Sequence, residues 1–109
     1  MSRLRVEPTP ELFRTAAQIL RERGLYREKF IDPDGSGQVC MLGAVGIAAG
    51  LDDLDQAAYM VQVQEFLAAV LNGGRPSATP FIRVTEFNDR ADDVEQVATF
   101  LEMAAEELV

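Results

Sequence analysis

Apolar residues recur at helical spacing in three stretches of the chain and crowd together without a period in a fourth. Leu12, Phe13, Ala16, Ala17, Ile19 and Leu20 make the first stripe, with Arg14, Arg21, Glu22 and Arg23 on the polar side. Thr9 is a natural N-cap, Pro10 suits the first helical position, Glu11 complements the dipole, and Gly24 is a natural stop. The spacing therefore predicts a first helix over 10–23, after an extended lead-in over 1–8. The unperiodic run, Val39 to Ala49, predicts a short helix over 41–49 stopped by Gly50. Gly43 and Gly46 lie on one face of it, which implies close approach of another backbone. Ala57, Ala58, Val61, Leu67, Ala68 and Leu71 predict a central third helix over 54–71, capped by Asp53 and ended by Asn72-Gly73-Gly74. Val94, Val97, Ala98, Leu101, Ala105 and Leu108 predict the last helix, begun by Asp89 or by Ala91-Asp92. Asp92, Asp93 and Glu95 sit where the dipole favours negative charge, and Glu106 and Glu107 where it does not.

Two segments break this period. Phe30 and Ile31 suit a short strand, the run Asp32 to Gly37 is dense in turn formers, and Gln38 to Cys40 suits a return strand. A β-hairpin over 30–40 is expected, packed on helices because an isolated hairpin is marginal. After a loop over 75–80, Phe81-Ile82-Arg83-Val84 suits a further strand or an extended entry segment over 81–85. The expected fold is thus α+β: four helices with a small β-hairpin, or with a three-stranded antiparallel sheet if 81–85 joins it. It forms one small globular domain over 1–109.

Composition changes this picture in one respect, the placement of charge. Net charge is −8. Residues 1–31 hold seven basic and four acidic side chains, residues 32–85 two and six, and residues 86–109 one and eight. An acidic C-terminal third repels phosphates, so no nucleic-acid surface is expected there. Its plain reading is a solvated face that keeps the protein soluble. The Val39–Ala49 run is too short to span a bilayer, and no apolar run follows the arginines of residues 1–6 as a signal peptide requires. A lone cysteine fits a reducing, cytoplasmic setting.

Candidate chemistry is sparse. The chain has no histidine, so the commonest general base and neutral metal ligand are missing. Cys40 opens the run Cys40-Met41-Leu42-Gly43-Ala44 at a helix start, where a dipole lowers a thiol pKa. Its other reading is a small buried hydrophobe. Asn88 and Asp89, in Phe87-Asn88-Asp89, are either caps of the last helix, with Asn88 tying the hairpin to it, or polar anchors for a ligand near Cys40. The Asp32 to Gly37 run resembles a calcium loop, but its twelfth position is Gly43 rather than an acid. Gly73-Gly74-Arg75-Pro76 lacks the Gly-Lys-Ser/Thr ending of a phosphate loop. Neither a metal nor a cofactor is expected.

Arg21-Glu22-Arg23-Gly24-Leu25, then Cys40-Met41-Leu42-Gly43-Ala44, then Phe87-Asn88-Asp89-Arg90 and the stretch Val94 to Ala105 together resemble domain of unknown function 6197. The likeness covers most of the chain. Phe87 stands where that family often carries tryptophan, and Ala91 where a threonine often follows the arginine. The resemblance implies a bacterial or phage accessory protein, mainly actinobacterial. It implies no established activity and transfers no catalytic residue.

The sequence therefore favours a non-enzymatic protein–protein interaction module or homo-oligomer. Arg21, Arg23 and Arg27 are its candidate basic contacts, and Asp92, Asp93 and Glu95 its acidic ones. Two alternatives stand beside it. One is a small cysteine-dependent enzyme or thiol sensor centred on Cys40 with Asn88 and Asp89. The other is an acidic decoy of a DNA-binding protein.

Overall fold

The computed structural model describes residues 7–25, 40–50, 60–76 and 78–109, and they form five helices in succession. Helix α1, Pro10–Arg23, begins where Thr9 turns extended and its Oγ1 accepts the Leu12 N–H at 3.1 Å. It ends at Gly24, whose φ of 93° is open to glycine and whose N–H donates to the Leu20 carbonyl at 2.7 Å. Phe13, Ala16, Ala17 and Leu20 form its buried stripe, as the period requires.

Helix α2, Met41–Ala48, has a different character. Its first six residues are all buried, so it is enclosed by neighbours rather than amphipathic. Helix α3, Val61–Leu71, buries Val63, Gln64, Leu67 and Ala68. It ends in a Schellman arrangement: the Gly74 N–H reaches the Ala69 carbonyl at 2.6 Å and the Gly73 N–H the Val70 carbonyl at 3.2 Å. Gly73 has a φ of 71°, where a Cβ is strained. Helix α4, Pro80–Arg90, starts with proline at its first position and buries Val84 and Asn88. Helix α5, Val94–Glu106, is capped by Asp93, whose Oδ1 accepts the Gln96 N–H at 3.0 Å. Gln96 answers by accepting the Asp92 N–H at 2.9 Å, a near relative of the capping box.

The helices pack as two pairs, α1 on α5 and α3 on α4, and α2 touches both through α1 and α4. The core lies among them. Phe13 of α1 stacks on Phe66 of α3 with ring centres 5.6 Å apart, and Phe87 of α4 tilts against Phe100 of α5 at 4.9 Å.

The α+β expectation is overturned. Apart from one bridging residue at Leu25, the described residues hold no strand and no sheet. The segment 81–85, expected as a strand or an extended entry segment, lies inside α4. Its β-branched and aromatic residues favour strands only weakly, while Val84, Phe87, Asn88 and Ala91 stand at i, i+3, i+4 and i+7, facing the core. Residues 81–85 therefore supply no third strand to the expected three-stranded sheet. Residues 30–39 of the expected hairpin lie outside the described residues, and Cys40, its last residue, is the N-cap of α2. The last helix starts at Val94 rather than at Asp89 or Ala91-Asp92, because α4 runs through Arg90. Within the expected third helix over 54–71, residues 54–59 and its cap Asp53 lie outside the described residues, and the described helix begins after Met60.

Candidate functional site

The two short motifs that stand out along the chain meet in space. Cys40 is the N-cap of α2, and its Sγ accepts the Gly43 N–H at 3.3 Å. Asn88 is buried in α4, and its Oδ1 accepts the Met41 N–H at 2.8 Å, 47 residues away along the chain. The first turn of any helix leaves backbone N–H groups without helical partners. Here a thiol from within the motif takes one and an amide from α4 takes another. Asn88 thus caps a helix, but it caps α2 rather than the last helix. The Asn88 amide also lies 3.5 Å from Asp89 Oδ1, and Asp89 is exposed.

Burial decides the state of the thiol. A helix N-terminus favours thiolate, and backbone N–H groups of Gly43 and Leu42 act in that direction. Loss of solvent acts more strongly, with the nearby Asp89 charge adding to it, and Cys40 is pushed up to about 11. At neutral pH the group is a neutral thiol. Among the described residues no cluster of cysteine, aspartate and glutamate is placed to hold a metal.

The charged residues expected to meet a partner are arranged differently. Arg21 lies between two glutamates of α5. Its Nε is 2.9 Å from Glu95 Oε2, its Nη1 is 2.6 Å from Glu102 Oε2, and its Nη2 reaches Oε1 of each at 3.1 Å. These hydrogen bonds hold Arg21 well above the ordinary arginine range and pull Glu102 below the ordinary carboxylate range. Arg14 and Glu106 approach at 3.7 Å along the same seam. Arg21 and Glu95 are therefore partners of each other within one chain. Asp93 caps α5, while Asp92 and Arg23 are exposed. Arg27 lies outside the described residues.

One feature was not legible as a site. Leu71 at the end of α3, with Arg83, Glu86, Phe87 and Arg90 of α4, lines a solvent-open depression of about 240 Å³. Positions 83, 86, 87 and 90 share a face only on a helix, so an extended 81–85 does not group them. Pro80, apt at a first helical position, was the available signal.

No helix among the described residues is long and apolar enough to cross a membrane. No curated protein and no solved structure matches the chain. A family model matches residues 4–107, which include both contacting motifs, and the chain therefore belongs to DUF6197, a family of unknown function.

Proposed function

We propose that the protein is a non-catalytic protein–protein interaction module acting in the cytoplasm. The observation that supports this most is how the chemistry-bearing side chains are used. Cys40 Sγ and Asn88 Oδ1 both accept backbone N–H groups of α2, and the thiol is buried and neutral at physiological pH. That arrangement joins two helices and offers no nucleophile to a substrate. The exposed surface, in contrast, carries acids along α4 and α5 together with the exposed apolar side chains Ile82 and Met103. A lone protonated thiol also suits a reducing compartment.

Affinity capture with the tagged chain, paired with mass measurement across concentration and salt, tests this reading. The expected result is a reproducible specific partner or a concentration-dependent assembly. A monomer at every concentration and salt, with nothing specifically captured, overturns it. Rapid alkylation of Cys40 in the folded protein at neutral pH favours the thiol-based reading instead.

A further inference from the structure

The depression between α3 and α4 is lined by two guanidinium groups, one carboxylate, that of Glu86, and apolar surface, so its lining is positive by one charge. Arg83 is half-buried; its Nη2 reaches Asn72 Oδ1 only at 3.4 Å, and its buried Nε–H has no acceptor among the described residues. A buried donor without an acceptor is uncommon in a folded protein and leaves hydrogen-bonding capacity unmet. Arg90, at the other end, is exposed and paired with Glu86 at 3.0 Å. Leu71 and Phe87, both half-buried, supply the apolar walls.

We propose that this depression receives one acidic side chain presented by a partner protein. The carboxylate sits between Arg83 and Arg90, and its methylene stem lies against Leu71 and Phe87. The inference rests on the interaction reading above and gives it a location. Guanidinium forks match the planar carboxylate and bind it with charge-assisted hydrogen bonds. Size favours a side chain over a larger metabolite: about 240 Å³ falls below the roughly 300–1,000 Å³ of typical small-molecule sites. Charge decides what flanks the acid. The chain carries −8 overall, so a polyacidic partner is repelled strongly and a single carboxylate among apolar residues far less.

The test titrates the full chain with the blocked tripeptide acetyl-Leu-Glu-Leu-amide, read by backbone amide NMR shifts. Saturable shifts centred on Arg83, Glu86, Phe87 and Arg90 are expected. Affinity should fall about tenfold for the Leu-Gln-Leu peptide, and similarly for Arg90→Gln, from loss of a charge-assisted bond. Arg90 is at the surface, so this variant keeps the fold even if Arg83→Gln does not. Equal binding of the Gln peptide, or no saturable shift, overturns the proposal. Inorganic phosphate moving these residues while the peptide does not also overturns it, because the site then takes a free anion. Partner capture separates the two readings. A partner held equally by wild type and Arg90→Gln removes this surface but leaves the interaction reading. Failure of wild type to capture or assemble removes the interaction reading itself.

Discussion

The α1–α5 seam and the α2–α4 junction hold the same molecule together by opposite means. Along the seam, fully buried Phe13, Ala16, Ala17, Leu20, Val97, Ala98 and Leu101 make many interchangeable apolar contacts. Its edge carries ion pairs of Arg14 and Arg21 with Glu95, Glu102 and Glu106 that remain open to water. At the junction, one buried amide satisfies one buried N–H at the start of an enclosed helix. Apolar packing degrades gradually as atoms are removed, whereas a buried polar contact fails all at once when one partner goes. A nearly featureless apolar helix such as α2 has no amphipathic stripe to place it, and a polar side chain from α4 marks its start.

The largest expected effect is on the seam. Leu101→Ala should destabilise by about 2–5 kcal/mol in chemical denaturation, since it empties a fully buried site. A cost below about 1 kcal/mol would mean that the seam is loosely packed and the contrast is wrong.

Asn88→Ala comes next. It leaves the Met41 N–H buried without its acceptor and should cost about 1–3 kcal/mol. Removing one amide should thus approach the loss of a whole leucine side chain. A neutral result would show that water or another group replaces Asn88 and that the junction is not concentrated in one bond.

Cys40 provides a test at alkaline pH. Its folded pKa is raised from 9.0 to about 11, so the folded state holds its proton more tightly than the unfolded state. Stability from this group is full below the unfolded value and is lost as pH rises from 9.0 towards about 11. The loss across that window is on the order of 2–3 kcal/mol. Denaturation between pH 8 and 11 should show the fall in wild type and a flatter profile in Cys40→Ala. At neutral pH, alkylation of the folded thiol should be slower than in the unfolded chain by about a hundredfold, from the thiolate fraction alone. Equal rates would mean that the thiol is not held in this state.

The smallest effect belongs to the ion pairs. Glu102 is held below its ordinary value of 4.5 by Arg21, so its contribution is present above that value and lost as pH falls through the lower folded one. Comparing wild type with Arg21→Gln from pH 7 downwards should show a small difference that narrows as acid protonates Glu102. The exposure of these side chains keeps it small through solvent screening. A large difference at pH 7 would make the seam as dependent on single polar contacts as the junction.

The residues that read correctly from the chain are those whose partners lie nearby in it. Thr9 and Leu12 are three apart, Gly24 and Leu20 four, and the caps at both ends of α1 follow from local geometry. The Asn72-Gly73-Gly74 stop and the stripe of α5 are legible for the same reason. Helix α4 is not legible locally because Phe81, Ile82, Val84 and Thr85 favour strands individually. Its inward face is completed by Asn88, a polar residue that hides the helical period until its buried partner is known. The candidate site divided along the same line. Cys40 and Asn88 were legible as unusual residues, but their contact was not. The depression of Arg83, Phe87 and Arg90 exists only on a helix, which the local preferences of 81–85 do not indicate.

The sequence alone determined the ends of α1, the stop of α3, the buried stripe of α5 and the uneven charge. Each depends on side chains within a few residues of one another or on composition. The tertiary structure decided that 80–90 is helical, that Asn88 caps α2, and that Arg21 closes on Glu95 and Glu102, 74 and 81 residues away. Those outcomes depend on which faces are brought together. A weak local preference yields when burying Val84, Phe87 and Ala91 together lowers the free energy more.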